Sequence, residues 1–469
     1  MKTFSRTAIA RLLAAGLAAF TLPVMAEGDA ALAAQLQALH ARIEALQNRV
    51  AELEAQTDGA DAATIADLQA QIVQLSASGG SGGNETASWR KGAPEFRADN
   101  GQLRFRPRGR VVFDLSTTQG SDFDERNISG TEARAVRLGA EGQFGALRYK
   151  IDTDFADQEV SVKDAWIAYR WRALDLPMEV FVGNKLRERG IDASGTLARQ
   201  PFQERNAVAA ITGAVNSYYG LGTALKVHGH SWHVGMSITG DDLDNAGSAD
   251  DSIAYTVRSH WNPIKRPQGF VHIGGWYYYE KLSDDVTTIN NVPRIGPYFN
   301  DNLRVSASSL ATPTRNEGYG LELAGVHRNF WAMSEIGQRR IRVPSTIVLG
   351  GHDRINRDAW SVSAGWLITG EKPGFTTRSG VWGTTRVLRP VTAGGWGGWE
   401  IALRADDFDF TDADRGGDGK RTTVALNWYL NNIARLSLNY YDWTTDNKVG
   451  SYQGEDSGES IALRAQVVF

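Results

Sequence analysis

From residue 102 onward, apolar and polar residues alternate along stretches of seven to fifteen residues, separated by turns rich in glycine and asparagine. The final stretch shows the pattern clearly. Ile461, Leu463, Ala465, Val467 and Phe469 fall on one side, and Ser460, Ala462, Arg464 and Gln466 on the other, with Val468 the exception. Trp232, Val234, Met236 and Ile238 alternate with His233, Gly235, Ser237 and Thr239, and Trp360, Val362, Ala364, Trp366 and Ile368 with Ser361, Ser363 and Gly365. Val424, Leu426, Trp428 and Leu430 alternate with Thr423, Ala425 and Asn427. A period of two predicts strands.

Sixteen strands are predicted, near 102–115, 132–143, 146–155, 160–171, 178–184, 217–228, 231–239, 252–262, 268–279, 318–328, 331–342, 356–368, 396–410, 420–430, 434–444 and 459–469. Very short turns such as Phe144-Gly145-Ala146, Gly229-His230 and Asn431-Asn432-Ile433 join many of them. Longer connections, 116–131, 185–216, 240–251, 280–317, 369–395 and 445–458, are expected on the opposite rim. A soluble sandwich also alternates, but its apolar residues fill a compact core. Sixteen strands enclose more space than their own side chains fill, so the polar set is expected to line water and the apolar set to face lipid. The predicted fold class is all-β, a 16-stranded antiparallel transmembrane β-barrel.

The amino-terminal hundred residues follow other patterns. Lys2, Arg6 and Arg11 precede the apolar run Leu12–Phe20, and Val24-Met25-Ala26 supplies small residues for cleavage, so 1–26 reads as a signal peptide. Residues 27–75 read as an α-helical coiled coil. Leu32, Leu36, Leu39, Ile43, Leu46, Val50 and Leu53 step by four and three, and Ile65, Leu68, Ile72 and Leu75 resume the spacing beyond Gly59. Ile43 and Val50 at one seam position favour two strands and Leu36 does not, so pairing in twos or threes stays open. Residues 76–101 are a Gly/Ser-rich linker and a lead-in to the barrel, which is expected to occupy 102–469.

Charge sharpens this picture only when counted by segment. The coil and linker, 27–88, hold nine acids and two arginines, whereas 89–469 holds 45 of each sign. Bulk charge therefore predicts no ion preference for the barrel, and local arrangement must decide it. The chain has no cysteine, which excludes thiol catalysis, thiolate metal sites and a disulfide-stapled scaffold.

Three stretches resemble the phosphate- and polyphosphate-selective porin family of bacterial outer membranes: Arg134–Trp171, with its KDA-aromatic strand; Val182–Asn206, ending in Glu204-Arg205-Asn206; and Gly398–Phe469, with WEIALRADDFDF, TVALNWYLNN and the closing ALRAQVVF. The resemblance covers roughly 100–469. It implies a sixteen-stranded homotrimer of the outer membrane with the third long loop folded into each channel; the coiled coil, outside the resemblance, is expected in the periplasm, where it would align the amino termini. By that match Arg205 is the leading candidate to contact an anion. The sequence departs from phosphate-specific members where they carry a lysine and a Thr-Ser-Ser step; here stand Ala193 and Ser194-Gly195-Thr196-Leu197.

The physics of the third loop supports the same expectation. Lys185, Arg187, Arg189, Arg199 and Arg205 stand against Glu188, Asp192 and Glu204. A net positive loop in a narrow lumen attracts anions, and guanidinium groups offer a planar fork to oxyanions. The candidate constriction set is thus Arg205, Arg199, Lys185, Arg187, Arg189 and Thr196. Arg137, Lys150, Arg404 and Arg464 have the parity of pore-wall residues, but Asp152, Asp154, Glu141, Glu322 and Glu400 share it, so pairing across strands is the competing role.

His228, His230 and His233, and the acidic stretches at 241–245 and 412–414, lack the further ligands at metal-binding spacing. No metal, cofactor, nucleic-acid partner or catalytic constellation is expected. The reading is an outer-membrane porin that passes small anions, phosphate or another oxyanion, by diffusion. The alternatives are a non-selective or sugar-type pore, and a tether whose coil contacts peptidoglycan while the barrel anchors it in outer-membrane lipid.

Overall fold

The computed structural model describes residues 86–98, 101–156, 160–213, 215, 218–241, 243, 250–290, 292–344 and 353–469. The expected signal peptide, the coiled coil and the linker up to residue 85 lie outside the described residues. Of the lead-in segment, Thr86–Arg90 and Ala93–Ala98 form two strands, where the sequence pattern had suggested a linker to about residue 88.

The alternating stretches become sixteen barrel strands: β1 Leu103–Gln119, β2 Ser129–Phe144, β3 Leu147–Asp154, β4 Ser161–Ala173, β5 Leu176–Leu186, β6 Tyr219–His228, β7 Trp232–Thr239 and β8 Ile253–Arg266, then β9 Gly269–Lys281, β10 Arg315–His327, β11 Phe330–Arg342, β12 Arg354–Leu367, β13 Gly398–Asp409, β14 Asp418–Tyr429, β15 Ala434–Asn447 and β16 Gly454–Val468. Each pairs antiparallel with the next. β16 returns to β1, from Glu459↔Gln119 to Val468↔Arg110, and closes the barrel. Phe469 extends the seam: its N–H donates to Gly109 O (2.9 Å) and its carbonyl accepts from Gly109 N (3.0 Å). A Cβ at residue 109 would lie 2.6 Å from the Phe469 ring, so glycine is what lets the terminal aromatic lie flat on β1. Closure leaves no free sheet edge within the barrel.

The faces sort as the alternation dictates. Leu321, Leu323, Val362 and Leu403 are more than half exposed on the outer face, while Ser361, Thr423, Asn439 and Arg464 are buried on the inner one. An apolar band of this extent suits hydrocarbon and not water. Among the described residues no helix is long and apolar enough to cross a membrane; strands make the crossing.

Two expectations need correction. Connections β2–β3, β4–β5, β6–β7, β8–β9, β10–β11 and β14–β15 are two to four residues long and share one rim. Residues 368–397, which join β12 to β13, belong to that same rim, so long connections are not confined to the other. Nor is the lumen lined only by polar residues. Trp276 and Tyr278 on β9, Phe408 on β13, and Tyr441 and Trp443 on β15 point inward and are buried against Val208, Ile211, Ile295, Leu303 and Val305 of two loops. Trp382, from the 368–397 segment, packs with Trp331 of β11, Ile191 and Phe202. Inward aromatics at these positions are stable because loops fold in and cover them.

The 282–314 loop crosses from the β9–β10 rim to the opposite wall. Asn300 Nδ2 donates to Thr118 Oγ1 on β1 (3.1 Å) and to Arg126 O (2.8 Å). The buried Arg126 guanidinium is paired with Asp456 (2.6 Å) and donates to Asn302 O (3.2 Å).

Candidate functional site: a cation-lined cavity in the lumen

The 187–218 connection between β5 and β6 sits inside the barrel, where its carbonyls find no strand to pair with. Wall side chains satisfy them instead, as buried carbonyls require. Arg404 NH1 donates to Glu204 O (2.9 Å), Arg435 NH1 to Gln200 O (2.6 Å), Arg464 NH1 to Gln203 O (2.7 Å), Arg421 NH2 to Arg205 O (3.0 Å), and Gln466 Nε2 to Ala198 O (2.7 Å).

Glu335 of β11 holds the other side of the loop. It accepts from Ile191 N (2.7 Å) at the start of α1 (Ile191–Ser194) and from Asn206 Nδ2 (2.6 Å). The Asn206 side chain also caps α2 (Ala207–Ile211), accepting from Ala209 N (2.8 Å). At Gly190 the chain turns with φ +68°, and a Cβ there would lie 2.3 Å from a Glu335 carboxylate oxygen. Burial pushes the Asp192 carboxyl above its ordinary value, against the pull of Arg404 and Arg205.

Between this loop and the β1–β6 wall lies a cavity of about 590 Å³. Its charge is one-sided. Arg108 and Arg110 of β1, Arg134 and Arg137 of β2, Lys150 of β3 and Lys163 of β4 line it, joined by Lys185, Lys226, Arg205 and Arg464. Against these ten cations stand two lining carboxylates, Asp164 and Glu188. Two of the cations arrive on irregular strand positions. The β1–β2 register shifts so that Arg134 is the extra residue opposite Val112/Phe113, and the β3–β4 register shifts so that Lys163 is extra opposite Asp152/Thr153. A bulge of this kind re-aims a side chain that strict alternation would place otherwise.

Several of these charges are balanced by the wall. Arg137 pairs with Asp154 (2.7 Å), Arg108 with Glu141 (2.8 Å), Lys150 with Asp164, and Arg464 with Asp114 (2.6 Å). Arg110 sits directly across the ladder from Arg137 and has no ion-pair partner among the described residues. Arg205 differs again. Its guanidinium donates to the backbone carbonyls of Asp192 and Gly195, the latter at 3.0 Å, and to no carboxylate. Neutral acceptors orient the group and leave its charge uncancelled. Tyr298, from the 282–314 loop, lies 3.6 Å beneath the Arg134 guanidinium carbon and also faces the cavity.

The sequence-predicted residues divide accordingly. Lys185, Arg205 and Thr196 come together on the cavity, as do Arg137, Lys150 and Arg464. Arg187 and Arg189 do not reach it. Arg187 is buried, with Nε on Thr239 Oγ1 (2.9 Å), and Arg189 is buried with Nε on Thr212 O (2.6 Å) and its guanidinium over Tyr218. Burial pushes the Arg189 pKa down to about 10. Arg199 borders a separate small cavity beside the Asn431-Asn432-Ile433 turn. Arg404 is fully buried against Asp406 (2.8 Å) and Phe202, so it is a strap for the loop and not a free wall cation. His233 lies directly across the β6–β7 ladder from His228, and its ring neighbours His260, 5.3 Å away, which stacks on His272.

The residues that sequence reasoning missed are Arg108, Arg110, Arg134, Lys163 and Lys226. One signal was available: Arg104, Arg106, Arg108 and Arg110 recur at every second position, which puts four guanidinium groups on one face of the first strand. No sequence signal marks the two register shifts.

A family model described as "Phosphate-selective porin O and P" matches residues 105–469. Among curated relatives, an uncharacterized protein of Caulobacter vibrioides is 26 % identical over 373 residues, 75 % of this chain and 70 % of that one. Porin O of Pseudomonas aeruginosa is 22 % identical over 388 residues, 76 % and 77 % of the two chains. Two similar solved structures are outer-membrane OmpT of Vibrio cholerae (10 % identity, 80 % of this chain and 99 % of that one, TM-score 0.49) and the anion-selective porin from Comamonas acidovorans (10 %, 78 % and 100 %, 0.47).

Proposed function

The chain belongs to the phosphate-selective porin O and P family and is an outer-membrane β-barrel porin, and from that premise we propose that it passes small oxyanions, phosphate among them, by diffusion through a lumen narrowed by the 187–218 loop. The observation that carries this reading is the cavity lining of ten cations against two carboxylates. In a lumen with low-dielectric walls such an excess concentrates anions and repels cations. Arg205, whose charge is oriented by carbonyls but not neutralised, is the residue proposed to contact the anion, with Arg110, Lys185 and Thr196 on the same cavity. The functional unit is a homotrimer whose amino-terminal coils align the three barrels; the heptads of 30–56 support this.

The test is the reversal potential of the purified channel in a planar bilayer under a potassium chloride gradient, followed by phosphate titration of the chloride current. Anion selectivity with phosphate block is the expected result. Block should weaken roughly tenfold in Arg205→Ala, the scale of one charge-assisted hydrogen bond. A near-zero or cation-selective potential would leave a general diffusion pore.

A further inference from the structure

Glu188 is the anomaly of the cavity. It is one of two carboxylates among ten lining cations, and the fold goes to some length to place it. It follows β5 by two residues, at the start of the inward-folded loop, and its side chain lies back on the wall. Its carboxylate pairs with Lys226 of β6 and lies 3.4 Å from Lys185 of β5. The second oxygen is 3.6 Å from His233 Nε2 on β7. Residue 235 of β7 is a glycine, and a Cβ there would stand 2.7 Å from that oxygen. Three strands thus supply two ammonium groups, an imidazole and a gap in the side-chain layer, all fitted to one carboxylate.

We infer that Glu188 is a built-in counter-charge that competes with the passing oxyanion for Lys185 and Lys226, and so keeps the anion well shallow enough for release. The inference rests on the anion-channel reading above. A pore must bind its ion well enough to admit it and weakly enough to let it go. With Glu188 in place, two of the lining lysines are already partnered before an anion arrives. An oxyanion at the cavity then meets the uncancelled charges of Arg205 and Arg110 first, and gains the lysines only by displacing a tethered carboxylate. Burial opposes ionisation of Glu188, but Lys226 above all, then Lys185, hold its carboxyl well below the usual range. The counter-charge therefore persists through neutral and mildly acid pH.

The experiment compares wild type, Glu188→Gln and Gly235→Ala as full-length purified channels in planar bilayers. It measures reversal potential, single-channel chloride conductance and the phosphate concentration that halves the current. In Glu188→Gln the half-blocking concentration should fall about tenfold, with chloride conductance at saturating phosphate falling and anion selectivity rising. Gly235→Ala keeps every charge but pushes the carboxylate from its seat, and should shift block the same way by a smaller factor. The difference between wild type and Glu188→Gln should be the same at pH 6 and pH 5, where phosphate is the monoanion and the lysines stay charged. Unchanged block in both variants, with wild type anion-selective, overturns the inference. Weaker block in Glu188→Gln overturns it too, because a carboxylate that only held the lysines in place would give that result. A wild-type channel with no anion preference overturns the reading beneath it instead. Heat-modifiable migration of each variant confirms that a folded barrel was measured.

Discussion

At the scale of single residues, the lumen separates cations that hold structure from cations that face the solute path. Arg404, Arg421, Arg435 and Arg464 give guanidinium donors to loop carbonyls, and Arg464 is also clamped to Asp114 by two bonds of 2.7 and 2.6 Å. Removing Arg464 alone, as Arg464→Met, leaves Asp114 buried and uncompensated, a loss of about 3–5 kcal/mol for pairs of this kind. The expected outcome is a lower urea midpoint for the refolded barrel. Asp114→Asn combined with Arg464→Met should recover part of it, because the orphan charge is gone. Arg205 serves both ends: it donates to the carbonyls of Asp192 and Gly195 but to no described carboxylate, so Arg205→Ala should alter block and lower the midpoint less than Arg464→Met does. Glu188 falls between the classes. A carboxyl held below the ordinary glutamate value of 4.5 stabilises the folded state above that pH, and loses the contribution only as pH falls through its own lower value. Its tie to the wall should survive acidification to about pH 5.

At the scale of elements, three connections narrow one lumen from two sides. The 187–218 and 282–314 segments enter from the rim of long loops, and 368–397 from the rim of short turns. The last is seated on inward side chains: Arg258 donates to Ser379 O (2.9 Å) and Gly380 O (2.7 Å), and His260 Nε2 meets Thr377 O at 2.8 Å. Ser379 and Val381 also line the cavity, with Val381 packed beside Gly195 of Arg205's loop. The chain closes tightly at the base of this finger, where Gly374 N reaches Thr385 Oγ1 at 3.3 Å. Excision of 375–383 should therefore be accommodated by the backbone. Single-channel conductance is expected to rise and Arg205-dependent phosphate block to weaken, because the excision removes Val381 and Trp382, which pack on Gly195, Ile191 and Phe202, while the arginine straps on the 187–218 loop remain.

At the scale of the whole molecule, the formal balance of charge hides a strong internal polarity. Residues 89–469 carry equal numbers of acids and bases, yet the cavity takes ten cations and two acids. The closed sheet makes this separation possible, because alternation sends each side chain either to lipid or to the lumen. Deleting 30–76 tests the coil's role. Conductance per barrel should persist, while the proposed trimer should dissociate more readily in detergent, read by native mass or light scattering. Loss of envelope attachment with intact trimers would favour the tether reading.

The sequence by itself determined the sixteen strands, their inward and outward faces and the closing seam at Phe469. Each depends on a period of two that any strand in lipid must obey, and that period is local. Arg205 and Lys185 were legible because family motif and loop charge agreed, and the row Arg104–Arg110 was legible in the same period though not used. What only the tertiary structure decided is non-local. The register shifts that aim Arg134 and Lys163 arise from pairing between strands. The burial of Arg187, Arg189 and Arg404 arises from loops folding back on the wall. The folding of 368–397 into the lumen arises from its contacts with Arg258, His260 and Trp331, although its place on the turn rim follows from counting the predicted strands. Whether a given cation faces a solute or a carbonyl is set by which distant backbone needs a donor, and one segment read along its own length carries no record of that need.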